Sequence, residues 1–177
     1  MYKPDRTEYP DYYHTYISEI IESEDIIPIL EEQQKTTNDL LKGITNEQSL
    51  GRYKEGKWSI REITGHLADT EKIMATRALR IARNDQTPQP GFSEDDYVKN
   101  ANFDNIKFGD LINVLYFNRS ASIALFKTFN EEELLRKGIA NGKEVSARAL
   151  MYIIAGHEKH HIDFMKSNYS IEPVESE

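Results

Sequence analysis

"SIREITGHLADTEKIMATRALRIA", Ser59–Ala82, is the stretch from which the fold can be read. Ser59 is followed three positions later by Glu62, a capping box in which each side chain satisfies a backbone N–H of the first helical turn. Ile60, Ile63, Leu67, Met74 and Ile81 then recur on one helical face. A long amphipathic helix is predicted, and "NDQTPQPGFSEDD" ends it with prolines, a glycine and turn formers. That connection is long for a compact chain, and loops of this length are often functional or mobile.

Three further long helices follow from the same period. One starts after Ser23, tolerates Pro28 in its first turn and runs through Leu30, Leu40 and Leu41 to Gly43. Another covers roughly Lys107 to Asn130, where Phe108, Leu111, Ile112, Leu115, Ile123 and Phe126 keep helical spacing. The last follows "GIANGKEVS", takes Ser146 as N-cap and extends through Leu150, Ile153, Ile154 and Phe164. No segment alternates as a strand would. Four such helices define an all-α four-helix bundle. Residues 1–22, with two prolines and five tyrosines, form an N-terminal segment whose short extra helix includes Tyr16, Ile17, Ile20 and Ile21. Residues 23–167 form the bundle, and 168–177, ending "EPVESE", form a flexible tail.

Composition narrows the function. A formal charge of −8 and a pI near 5.2 argue against nucleic acid or anionic lipid as partner. "RALRIAR", with Arg77, Arg80 and Arg83 at every third position, reads as a solvated helix face. No apolar run is long enough to cross a bilayer, and the N-terminus lacks the pattern of a signal peptide, so the expected location is cytoplasmic. With no cysteine, disulfides, thiolate ligands and an internal thiol nucleophile are excluded.

The chemistry gathers on histidines. Counting about 100° per residue from Leu150, His157 and His161 both fall within about 20° of the buried line, while His160 lies about 80° away on the shoulder. Residues four apart are neighbours across one turn, close enough for two imidazoles to share an ion. His66 lies about 60° from the centre of its own helix's stripe, facing inward obliquely. Two readings stand for these rings: core histidines bonded to carboxylates or tyrosines, or ligands of one divalent cation, Zn²⁺ or Ni²⁺, with coordination positions left open. Asp69, Tyr116 and Tyr152 are candidate outer partners, and Gly65 would admit a neighbouring backbone. His14 shows no pairing signal.

"HEKHH" also satisfies H-E-x-x-H, the helical zinc-protease pattern, which would make Glu158 a proton acceptor. A downstream third histidine is missing, however.

"GKWSIREITGHLADTE", "RALRIARND", "PGFSEDDYV" and "ALMYIIAGHEKHHIDFM" together resemble the DinB-like proteins, especially the branch around the bacillus YfiT protein, over roughly Ile26 to Met165. The resemblance implies a four-helix bundle, commonly a homodimer. It also implies a metal held by one histidine of the second helix and an H-x-x-x-H pair of the last, which here are His66, His157 and His161. The family includes S-transferases that use bacillithiol or mycothiol, a mycothiol-dependent isomerase, and members described only as metal-dependent hydrolases. No DNA binding is implied.

The expected function is therefore a metal-dependent enzyme with a small-molecule substrate. The first reading is a thiol S-transferase that activates bacillithiol or another small thiol for attack on a small electrophile. The alternatives are a hydrolase using metal-activated water, with Glu158 as base, and a non-catalytic metal-binding stress-response module. Phe92 and Tyr97 are candidates to contact an apolar substrate, with loop packing as the alternative. Arg119 is a candidate for an anionic group, with an ion pair as the alternative.

Overall fold

The computed structural model of the protein describes residues 2–20 and 25–169. In chain order the helices are α1 (His14–Ser18), α2 (Ile26–Lys42), α3 (Ile60–Ala82), α4 (Glu94–Ala101), α5 (Phe108–Phe126), α6 (Glu131–Leu135) and α7 (Ala147–Asn168), with a hairpin of β1 (Lys137–Ala140) and β2 (Lys143–Ser146). The long helices α2, α3, α5 and α7 make the four-helix bundle, α3 packing on α5 and α7 and α2 closing the other side. The short α1 is the extra N-terminal helix and lies against α7.

The caps behave as their sequences require. Ser59 accepts from the Glu62 amide while the Glu62 carboxylate accepts from the Ser59 amide, and Ser146 accepts from the Ala149 amide. Asp25, whose side chain accepts from Ile27 N, caps α2. Ser23 and Ile21, read as a helix start and an apolar contact, lie outside the described residues.

Several expectations are corrected. The connection after α3 runs without helix as far as Ser93, the N-cap of α4, which takes in only its last three residues, Glu94 to Asp96. Gln89 bonds main chain to main chain with Ile139 and Asn141, tying the segment to the hairpin. The hairpin itself replaces a featureless connector. Its turn, Asn141 and Gly142, has φ of 51° and 70°, the left-handed pair that a two-residue turn demands. The third long helix stops at Phe126 rather than near Asn130, and α6 follows after Asn130 as N-cap. At Gly65 the close neighbour is the Phe103 ring, not backbone. Asn168 and Tyr169, read as part of the loose tail, are ordered: Tyr169 donates its hydroxyl to the Trp58 carbonyl (2.5 Å).

The apolar core has two large clusters and a small third one of Val98, Phe103 and Leu111. One large cluster gathers Ile17, Leu30, Ile81, Phe126 and Leu150, and the other Leu41, Ile63, Leu67, Leu115 and Met165. Between them each long helix contributes polar side chains: Gln33 and Thr37 from α2, His66, Thr70 and Glu71 from α3, Arg119 from α5, His157, Glu158 and His161 from α7. A polar layer through a bundle core lowers stability unless its members are paired, so the pairing of this layer decides what it is for.

Candidate metal centre

One half of the layer is ionic and self-sufficient. Arg119, only 2 % exposed, donates Nε to Glu71 Oε1 (2.8 Å) and Nη2 to Glu158 Oε2 (2.6 Å), and Thr37 Oγ1 donates to Glu158 Oε1 (2.7 Å). Burial disfavours the charged guanidinium, yet the two carboxylates outweigh it and hold its pKa above the ordinary value. Burial pushes the Glu158 carboxyl up against the pull of Arg119. The ion-pair reading of Arg119 therefore holds, and Glu158, with both oxygens engaged, is not free to serve as the base of an H-E-x-x-H site.

The other half carries three imidazoles. His66 on α3 and His157 and His161 on α7 each offer a ring nitrogen within 4.8 Å of the others, and His66 Nε2 lies 3.0 Å from His157 Nε2. His66 and His157 are buried and His161 half-buried. Burial drives the His66 pKa down to about 4. Burial, then the neighbouring His66 and His160 rings, drives His161 down to about 3. His157 falls well below its ordinary value for the same reasons, burial first. All three rings are thus neutral at pH 7, with lone pairs available.

This donor set fits a divalent transition metal. Three neutral nitrogens with no carboxylate suit Zn²⁺ or Ni²⁺ rather than Mg²⁺ or Ca²⁺. Tetrahedral Zn–N bonds place ligand nitrogens roughly 3.3 Å apart, close to the 3.0 Å separation of His66 and His157.

The surrounding residues explain the placement. At Gly156 a Cβ would come within 2.1 Å of the Tyr16 carbonyl oxygen, so glycine there lets α1 settle on α7. The Tyr16 ring consequently meets His157 edge-on, its centroid 5.3 Å away. Trp58 packs on His66 at 4.9 Å. The outer partner of His66 is Thr70, whose Oγ1 lies 3.4 Å from Nδ1. The three candidates read from sequence sit elsewhere: Asp69 is half-buried without a bond to His66, Tyr116 points to solvent, and Tyr152 belongs to the apolar core. A Thr one helical turn from the histidine was the signal that pointed to the true partner. His160 meets the His161 ring at 5.4 Å with its Nδ1 3.6 Å from Glu19, and His14 meets Tyr9.

Two cavities reach the imidazoles. An inner one of about 180 Å³ is lined by His157, Thr70, Met74, Arg77, Tyr16 and Phe92. An outer one of about 460 Å³ touches His161 and is walled by Tyr53, Trp58, Phe164 and Tyr169. Phe92 thus lies in the inner cavity wall, while Tyr97, an exposed ring, meets it at a tilt with centroids 5.1 Å apart. Arg77, read as part of a solvated face, is only 4 % exposed and points inward.

A bundle with inward imidazoles on two facing helices defines a class of metal-site proteins. The chain belongs to the DinB superfamily, whose profile matches residues 29–165. An Oceanobacillus iheyensis protein named "putative metal-dependent hydrolase" is 28 % identical over 156 residues, covering 85 % of this chain and 88 % of that protein. Among solved structures, YfiT of Bacillus subtilis, described as a probable metal-dependent hydrolase with an unusual four-helix bundle topology, superposes with a TM-score of 0.73 at 17 % identity. The match covers 96 % of this chain and 92 % of that one. A mycothiol-dependent maleylpyruvate isomerase superposes with a TM-score of 0.67 at 13 % identity, over 83 % of this chain and 62 % of that one.

Proposed function

We propose that the protein is a metal-dependent thiol S-transferase in which His66, His157 and His161 hold Zn²⁺ or Ni²⁺. The observation that carries this reading is the pair of cavities, one ending on His157 and the other on His161, which gives each of two co-substrates its own approach. When bound, the ion supplies Lewis acidity, lowering the pKa of a thiol enough to favour thiolate at neutral pH. The chain's own residues do the rest. Thr70 orients the His66 ring so that Nε2 faces inward, and Tyr16 and Trp58 exclude water from the imidazoles. The wide outer cleft fits bacillithiol or a thiol of similar size, and the small inner cavity fits the electrophile. The S–C bond forms at the electrophilic carbon as its leaving group departs with the bonding pair, and the thiol proton passes to water. The absence of cysteine leaves no internal thiol to be alkylated.

Hydrolysis is the second reading, supported by the names of two relatives. It is weakened by the engagement of Glu158 with Arg119 and Thr37.

The experiment incubates zinc- or nickel-loaded protein with bacillithiol and a chromogenic aryl halide. Thioether forms above the uncatalysed rate, and His157→Ala loses it. Turnover of a chromogenic ester without thiol would replace this reading with hydrolysis. Inactivity in both assays, with metal removal lowering thermal stability, would leave a non-catalytic metal-binding module.

A further inference from the structure

We propose that Arg77 anchors the carboxylate of the electrophilic substrate, holding it in the inner cavity with its reactive carbon toward His157.

Three arginines of this chain are almost fully buried, and they differ in what they bond. Arg61 uses its whole guanidinium: Nε donates to Ser49, Nη1 to the carbonyls of Asp104 and Ile106, and Nη2 to the carbonyl and side-chain oxygens of Asn46, all within 2.9 Å. Arg119 has two carboxylates. Arg77 donates Nη2 to the Pro90 carbonyl (2.6 Å) and makes a long contact from Nη1 to the Met74 sulfur (3.5 Å). Among the described residues no carboxylate lies within ion-pair distance of it. A buried guanidinium without a counter-anion is costly, and stacking over the Phe92 ring at 5.6 Å offsets only part of that cost.

The missing partner belongs in the cavity. Leu67, Thr70, Met74 and Arg77 share one face of α3, and helical side chains lean toward the N-terminus, so the guanidinium reaches back over Met74 toward the imidazoles. Its position is fixed from outside, since Pro90 follows Gln89, which is tied to the hairpin, and Gly91 sits against the Asn141 side chain. The cavity also contains acidic groups. Glu71 and Glu158 are committed to Arg119, and Glu94 makes no ion pair with Arg77. A planar guanidinium recognises a carboxylate through parallel N–H donors. The volume of about 180 Å³ exceeds only slightly the cavity of about 150 Å³ that accepts benzene, which limits the ligand to a small acid. The larger thiol is left to the outer cleft.

This assignment of Arg77 rests on the proposed transfer reaction only for the identity of the ligand as electrophile, and binding tests it separately. Purified full-length protein, stripped of metal, is titrated calorimetrically with propionate and with its neutral isostere propionamide. Propionate should bind about tenfold tighter or more. Arg77→Gln should bring the ratio close to one, and Arg77→Lys should retain part of it, with thermal unfolding reporting that each variant is folded. Equal affinities in the unsubstituted protein overturn the proposal, whatever the variants do. So does a preference that survives Arg77→Gln, or one that needs added zinc, which would place the carboxylate on the metal. With bacillithiol held constant, the enzymatic acceleration for chloroacetate over that for chloroacetamide should fall about tenfold in Arg77→Gln. A change in the KM for the thiol alone would assign the anion to the thiol and overturn the proposal. An Arg77-dependent binding preference without any thioether formation would remove the transferase reading and leave the anchor. Thioether formation with no such preference would do the reverse.

Discussion

The two halves of the polar layer share one bundle, the ionic half buried throughout and the imidazole half open at His161, and they differ in how they are satisfied. Around Arg119 each carboxylate and the guanidinium find partners within the chain, at 2.6 to 2.8 Å. Around His66, His157 and His161 the ring nitrogens lie within 4.8 Å of one another, and the outer polar contact of His66 is the 3.4 Å approach of Thr70. Burial that completes its own bonding is architecture. Burial that gathers three neutral ring nitrogens within 4.8 Å of one another fits a divalent metal.

The largest test removes the hub of the ionic half. Arg119→Met leaves Glu71 and Glu158 buried without their cation and should cost about 3–5 kcal/mol of stability, read as a lower urea midpoint in metal-free protein. A loss below about 1 kcal/mol, as for an exposed pair, would break the comparison by showing that the layer is hydrated there. Next comes the imidazole half. Free zinc at about a hundredfold excess over its Kd should stabilise the protein by about 2.7 kcal/mol, and His157→Ala should abolish the rise in Tm. A rise of equal size in the variant would mean that zinc binds elsewhere.

Much of this was legible because it is local. The capping box at Ser59 and Glu62, the N-cap at Ser146 and the four-residue spacing of His157 and His161 are all short-range patterns, and the structure reproduces each. Helical spacing turned His66 inward only obliquely and left two readings open for the rings, and its place with that pair was what the family resemblance implied. What was missed depends on rotation or on distance in the chain. Arg77, Arg80 and Arg83 look like one face, but each step of three turns the helix back by about 60°, so the series passes from buried Arg77 through half-buried Arg80 to exposed Arg83. Arg119 meets partners 48 and 39 positions away, which no local pattern announces. The hairpin had its signal in Asn141 and Gly142, but each strand is only four residues long, too short for alternation to show.

The finest test makes the same change in both halves. Thr37 and Thr70 each present a hydroxyl to one group of the layer, so replacing each by Val removes an oxygen of almost the same shape. At Thr37 the hydroxyl donates to a charged carboxylate at 2.7 Å, and Thr37→Val should cost about 1.5–3 kcal/mol of metal-free stability. At Thr70 the contact is long and the imidazole neutral, so Thr70→Val should leave metal-free stability nearly unchanged. Its effect should appear instead on zinc, with affinity falling about tenfold as the His66 ring loses the group that orients it. Competition with a chromogenic chelator measures that loss, and urea unfolding measures the other. If Thr70→Val instead lowered stability and left zinc affinity intact, Thr70 would be bonding the ring as a structural partner, and the imidazole half would be architecture like its neighbour.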